Sequence, residues 1–305
     1  MPHGNDHTEA SGAGLRASIS RNWAAEARPA WFGAAFLTQR VLLRLAAFAP
    51  LSAEEAEAVH DLPINAQSTP PGTELVAEGA AARAGFLVSG WACRARTLPD
   101  GRRQIIGFVL PGDALAPLLR PEGELASCAT VALTRVQLAD AAPLRAMLGP
   151  VQAGQRCRGL QAACLAAERA EERMLLDRIV SLGRQTACER LCGLLAELHQ
   201  RLAAVGLTMG NSFAMPLRQD MLADALGLST VHVNRTLQQA RRDRVAEVGG
   251  GWVNLLQPAM LRPSPSAVRA VPQAAVAAVP PVAARSGLSR ATPHGLANAG
   301  EVAPT

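Results

Sequence analysis

The sequence predicts an α+β chain in three successive parts: short strands that roll into a barrel, one long helix, and a helix pair closed by a strand hairpin. Three observations predict it. From about residue 65 to 140, short apolar runs alternate with turn signals. From 143 to 183, small and apolar residues recur at alternating four- and three-residue steps. From Leu217 to Gln238 the pattern reads as helix, tight turn and helix, followed by a glycine-tipped hairpin. A chain of 305 residues accommodates two such domains with tails.

Residues 1–36 are rich in Gly, Ala, Ser and His and lack sustained periodicity. They are expected to be disordered or loosely docked, with Trp23, Trp31, Phe32 and Phe36 hinting that the end docks. The β-roll domain is placed at 37–142. Val41, Leu42, Leu45 and Phe48 repeat at helical spacing, and Ser52 with Glu55 forms a capping box for a second short helix. Pro70-Pro71-Gly72 is a turn; Leu75-Val76 and Phe86-Leu87-Val88 are short apolar runs; Gly90 to Leu98 roughly alternates. Pro99-Asp100-Gly101 is a hairpin signal before the strand Gln104 to Leu110, and Pro111-Gly112-Asp113 ends that strand. Short strands at this spacing imply a β-roll or barrel. An enzymatic barrel of the cupin kind needs a histidine cluster on these strands, and no histidine lies between His60 and His199.

Residues 143–183 predict a long helix, with interruptions expected near Gly149-Pro150 or Gly183. Ala153, Cys157, Leu160, Cys164, Ala167, Glu171 and Met174 form its seam. Such a seam suits a parallel two-helix contact, although Glu171 makes it imperfect; the other reading is a helix packed on its own domain. A second helix runs from Thr186 to Leu202 on Leu191, Leu194, Leu195, Leu198 and Leu202, and Val205-Gly206 ends it.

The C-terminal domain, 184–258, carries the functional signal. Leu222, Ala223, Leu226, Leu228, Val233 and Leu237 form one apolar seam; Gly227 sits where the chain must reverse, and Ser229 suits the N-cap of the second helix. That helix presents Thr230, Val231, Asn234 and Arg235 near its N-terminal end, which in a helix-turn-helix enters the DNA major groove. Arg reads guanine O6 and N7 with two prongs, and Asn does the same to adenine. Val231 suits a thymine methyl, while His232 faces either the first helix or a phosphate. Arg218 and Gln219 at the start of the first helix complete the candidate DNA-binding set. A helical hairpin inside a core is the alternative, but a helix buried on both sides would not carry His232, Asn234, Arg235, Gln238, Gln239, Arg241 and Arg242. Val245 to Leu255, with Gly249-Gly-Gly251 at its tip, reads as the wing of a winged helix; the tip either approaches the phosphate backbone or merely covers the core. From 259 to 305, Ala, Val and Pro dominate and a disordered tail is expected.

Composition excludes several classes. No run of about eighteen apolar residues appears, so no membrane span is expected, and the N-terminus lacks the pattern of a secretion signal. A cytoplasmic protein follows from these as the expectation. The net charge of +5 comes entirely from Arg on the basic side and is mild. Six cysteines, at 93, 128, 157, 164, 188 and 192, include no C-x-x-C pair. Cys188, Cys192 and His199 share one helical face, which allows a metal-binding or oxidation-sensing role, there or at the long-helix cysteines Cys157 and Cys164, as well as plain burial. No nucleophile elbow, phosphate loop or acid pair marks an enzyme, and no cofactor or metal site is called for.

The order of parts resembles the Crp/Fnr superfamily of bacterial transcription regulators from roughly 38 to 258. The matches are Gly90-Trp-Ala-Cys-Arg94, Leu98-Pro-Asp-Gly-Arg-Arg-Gln-Ile105, Leu110-Pro-Gly-Asp113, Val180-Ser-Leu-Gly-Arg184, Leu222-Ala-Asp-Ala-Leu-Gly-Leu-Ser229 and Val231-His-Val-Asn-Arg-Thr-Leu237. The resemblance implies a β-roll like that of cyclic-nucleotide-binding domains, a dimerisation helix, a homodimer on near-palindromic double-stranded DNA, and RNA polymerase as a further partner. It also implies that an effector or condition read by the roll reorients the DNA-binding heads. Relatives that bind cyclic nucleotide use a Gly-Glu pair for the ribose and an Arg-Ser or Arg-Thr pair for the phosphate. Here Gly112 is followed by Asp113, and Ala126-Ser127 stands where the second pair belongs. Gly123-Glu124 lies too close to Ser127 to enclose a ligand, and Arg120 could in principle substitute for the missing guanidinium. Without that charge-assisted fork, weak or no binding of cyclic AMP is expected. The iron–sulfur relatives carry an N-terminal cysteine cluster; the first ninety residues here hold no cysteine.

Overall fold

A computed structural model describes residues 34–121, 123–149 and 157–258. The expected N-terminal extension, save its last residues, and the expected C-terminal tail lie outside the described residues.

Helices α1 (Ala34–Ala46) and α2 (Ala53–His60) open the described chain. Six strands follow: β1 (Glu74–Val76), β2 (Gly85–Ser89), β3 (Ala92–Thr97), β4 (Arg103–Val109), β5 (Ala129–Ala132) and β6 (Gln137–Asp140). They make an antiparallel sheet in the order β1-β5-β3-β4 and a β2-β6 pair, which together form the expected roll. The Pro99-Asp100-Gly101 signal is the β3–β4 hairpin, with Gly101 at φ +85° where a side chain would be strained. Three further helices lead on: α3 (Ala142–Leu148), α4 (Arg158–Arg184) and α5 (Ala187–Ala203).

The Ser52–Glu55 capping box is present, and the Glu55 carboxylate has a second task. One oxygen accepts from the Ser52 N–H at 2.7 Å; the other accepts from the Leu160 N–H at 2.8 Å, in the first turn of α4. An orphan amide at a buried helix start is thereby satisfied by a carboxylate, which the helix dipole favours. Gly159 passes so close to the Pro50 carbonyl that a Cβ has no room there.

This docking corrects the expected seam. The interruption expected near residue 149 is present: α3 ends with Gly149 as its C-cap, whose backbone is extended, and α4 starts as a separate element at Arg158. Cys157, Leu160 and Cys164 are buried in the chain's own core with Val41, Leu42, Val59 and Leu144. They are therefore unavailable to a partner helix, and Ala153 lies outside the described residues. The apolar side chains that α4 leaves to solvent are Leu165, Leu175, Leu176, Ile179 and Val180.

The C-terminal domain adds β7 (Thr208–Met209), β8 (Ser212–Ala214), α6 (Gln219–Leu226), α7 (Thr230–Arg242), β9 (Ala246–Gly249) and β10 (Trp252–Leu255). Its sheet runs β7-β8-β10-β9, so the wing hairpin is the outer half of a four-stranded sheet. β7 and β8 have no counterpart in the sequence pattern, because strands of two and three residues leave no period to detect. One core joins this domain to the roll: Trp91, Ile105 and Phe108 pack with Leu191, Leu195, Leu222 and Leu226. Among the described residues, no helix is long and apolar enough to cross a membrane.

Candidate nucleic-acid interface

The turn between α6 and α7 is built as its sequence demands. Gly227 adopts φ 64°, ψ 40°, the left-handed conformation that ends a helix, and the Leu228 N–H donates to the Ala223 carbonyl at 3.1 Å. Ser229 is the N-cap of α7; its hydroxyl accepts from the His232 N–H at 3.2 Å. Val233, Thr236 and Ala240 turn inward, and all six apolar residues expected in the seam pack in the same core.

The opposite face of α7 is open. Thr230, Val231, His232, Asn234 and Arg235 are exposed, and Val231 is 61% accessible. The orientation of His232, left open by the sequence, is thus outward. Asn234 accepts from the Gln238 amide at 2.9 Å and donates to the Gln219 side-chain carbonyl at 3.4 Å, so Gln219 reaches the same surface from α6. Arg235 has no hydrogen bond or ion pair among the described residues, which leaves its guanidinium available. Arg218 occupies the N-cap of α6 without capping it. Its guanidinium instead grips Asp220 at 3.0 and 2.8 Å, and this hydrogen bonding holds the Asp220 carboxyl below its usual range. A phosphate contact by Arg218 therefore competes with Asp220. Arg244, just after α7, takes a positive φ of 53° although it carries a side chain.

The roll holds a cavity of about 450 Å³ whose lining includes Arg94, Arg96, Arg120, Glu124, Ser127, Glu171 and Met174. The Asp113 that replaces the expected glutamate is not free to meet a ligand. It is 8% exposed and accepts from Arg44 Nε at 3.0 Å, from Arg201 Nη2 and from the Leu110 N–H at 2.7 Å. Burial works against the Asp113 charge, but the two guanidiniums hold its pKa below the ordinary value. Arg201 also bonds Glu197, which in turn meets Arg178, so one charge chain joins α1, the roll, α5 and α4. Arg120 pairs with Glu124 at 2.7 Å in a solvent-exposed contact.

All six cysteines are thiols. Burial pushes Cys164 and Cys192 up to about 12 and Cys93 up to about 11, so these stay protonated and weakly nucleophilic at neutral pH. Cys188 and Cys192 are neighbours, but His199 is not brought to them: it bonds the Gly210 carbonyl at 2.9 Å and packs on Phe213. Among the described residues, no group of three His, Cys, Asp or Glu is arranged to hold a metal ion.

Comparisons with known proteins bear on both halves. The family profile of a cyclic nucleotide-binding domain matches residues 66–142, and that of a Crp-like helix-turn-helix domain matches 189–263. The nitrogen fixation regulation protein FixK of Bradyrhizobium diazoefficiens is 36% identical over 167 residues, covering 54% of this chain and 66% of that protein. The chain thus spans just under two thirds of that relative. FixK of Rhizobium meliloti is 30% identical over 195 residues, covering 63% of this chain and 83% of the relative. The structure of FixK2 from Bradyrhizobium japonicum aligns with a TM-score of 0.54 at 26% identity, over 66% of this chain and 96% of that one.

Proposed function

The chain belongs to the Crp/Fnr family of transcription regulators, and on that premise we propose that it is a homodimer that reads a near-palindromic DNA site with helix α7. It is a regulator and not an enzyme. The observation that carries the reading is the exposed edge of α7. Thr230, Val231, Asn234 and Arg235 stand exposed on the first turns of a helix whose other face is fixed in the core. Arg235 supplies the fork for a guanine, Asn234 and Thr230 further base or phosphate contacts, and Val231 a methyl contact. Gln219, bonded to Asn234, steadies that amide; Ser229, His232 and Arg218 border the surface.

The second copy is the occupant proposed for the exposed stripe on α4. Leu165, Leu176 and Ile179 are separated by eleven and three residues and so share one helical face, with Leu175 and Val180 beside them. Water-exposed leucines in such a row are favourable to bury against an identical helix. The roll serves as the sensing domain for a condition other than cyclic AMP, because Asp113 is held in buried ion pairs with Arg44 and Arg201 and no arginine immediately precedes Ser127. RNA polymerase is the further partner, and the cytoplasm the place, that this function requires.

A second reading, oxidation sensing at a cysteine, has one supporting observation: Cys188 lines the cleft it shares with Ser229, His232 and Arg235. Oxidant that abolishes DNA binding in the wild type but not in Cys188→Ser supports that reading. The main test is selection from random-sequence DNA followed by footprinting. Enrichment of two half-sites about one helical turn apart, centre to centre, is expected. Recovery of no motif, or of a single half-site, refutes the dimeric reader.

A further inference from the structure

The last turn of α6 is not capped by its own chain alone. The Gln104 side-chain amide donates to the Asp224 carbonyl at 2.7 Å and to the Ala225 carbonyl at 3.5 Å, and Arg190 Nη1 donates to the Leu226 carbonyl at 3.1 Å. Arg103 adds two bonds to Asp224 Oδ2, from Nε at 2.9 Å and Nη2 at 2.7 Å. The final carbonyls of a helix have no partner within it and carry partial negative charge, so donors and cations are favoured there. Here two of those donors come from the sensor domain, about 120 residues earlier in the chain.

Geometry supports a specific consequence. Arg103 and Gln104 begin β4, and the rest of that strand, Ile106 to Val109, lines the sensor cavity. Ile105 between them is buried in the core shared with Leu222 and Leu226. A Cβ built on Gly227 would meet Leu182 of α4 at 3.1 Å and Gln104 at 4.0 Å, so the turn that aims α7 rests on α4 and β4 together. None of these contacts touches the outward face of α7.

We propose that Arg103 and Gln104 are positioning residues for DNA reading: the cavity wall supplies the C-terminal cap of α6 and thereby fixes the angle of α7. This rests on the DNA-binding reading above. Docking through β4 makes the head one rigid presentation and spares the complex the ordering of a loose domain.

The test uses the full chain with Arg103→Glu, Asp224→Arg and the double reversal. The first readout is the ratio of affinity for the selected site to affinity for random DNA at one salt concentration. The second is amide hydrogen exchange over residues 225–229. Each single change is expected to lower the ratio at least tenfold and to speed exchange at the turn; the double reversal is expected to restore both to within threefold. Ratios and exchange unchanged in the singles, a higher ratio, or no rescue by the double reversal overturns the proposal. Should a charge reversal unfold the protein, Gln104→Ala carries the same test, and wild-type values for it are equally fatal. A wild type that selects no DNA sinks the functional reading instead, and exchange alone then decides the cap.

Discussion

Replacing Asp113 with Asn keeps the shape of the buried cluster and removes the charge that two guanidiniums share. Arg44, Asp113 and Arg201 are 9%, 8% and 7% exposed, so neither cation gains water when the carboxylate goes. Arg201 keeps Glu197, but Arg44 has no second carboxylate hydrogen-bonded to it, and among the described residues its Nη1 already lacks a partner. Breaking a buried ion pair from one side costs about 3–5 kcal/mol, and the upper half of that range fits a carboxylate serving two arginines. In urea, with a slope of about 1–3 kcal/mol per molar, the midpoint should fall by more than about 1 M. The pH dependence has a definite sign. The folded-state pKa of Asp113 is depressed, so its stabilisation is complete above the unfolded value of about 3.9 and is lost as pH falls through the lower folded value. Urea unfolding followed by circular dichroism at pH 7 and below pH 4 measures both effects. The wild type and Asp113→Asn should differ widely at pH 7 and converge in acid. A loss under about 1 kcal/mol at pH 7, or a gap that persists unchanged below pH 4, would refute the reasoning.

Arg235→Ala should leave the fold intact and cost about 1–3 kcal/mol at one base position, read as lost discrimination between the selected site and a point variant of it. Leu176→Glu with Ile179→Glu should convert a dimer to a monomer in analytical ultracentrifugation and weaken DNA binding with it; a variant that stays dimeric places the interface elsewhere. Cyclic AMP should give no calorimetric signal with the wild type, and micromolar binding would show that the ion pairs of Asp113 and Arg120 open for a ligand.

The reading head was legible because its constraints are local. Gly227 needs a left-handed backbone, Ser229 needs an amide to cap, and the alternation of Val233, Thr236 and Ala240 with exposed polar residues follows helical periodicity. The Ser52–Glu55 box was legible for the same reason. The face of α4 that points outward was not, because its period fits two faces equally well. What chose between them was the docking of Cys157, Leu160 and Cys164 under α1 and α2, a contact over about a hundred residues. The inward pull on Asp113 was hidden likewise: its partners, Arg44 and Arg201, lie 69 and 88 residues away and look like ordinary surface arginines in sequence. The Thr186–Glu189 capping box that starts α5 carries a sequence signal of the same local kind.

The twofold grip of Glu55 bears on how the protein can be dissected. A fragment trimmed to begin at the first strand would take the Glu55 carboxylate from the Leu160 amide and bare Leu144 and Leu160 to water. The helices that precede the barrel and the one that follows it thus form a single closure, so any truncated sensor meant for ligand screening has to keep residues 37–60 along with the start of α4.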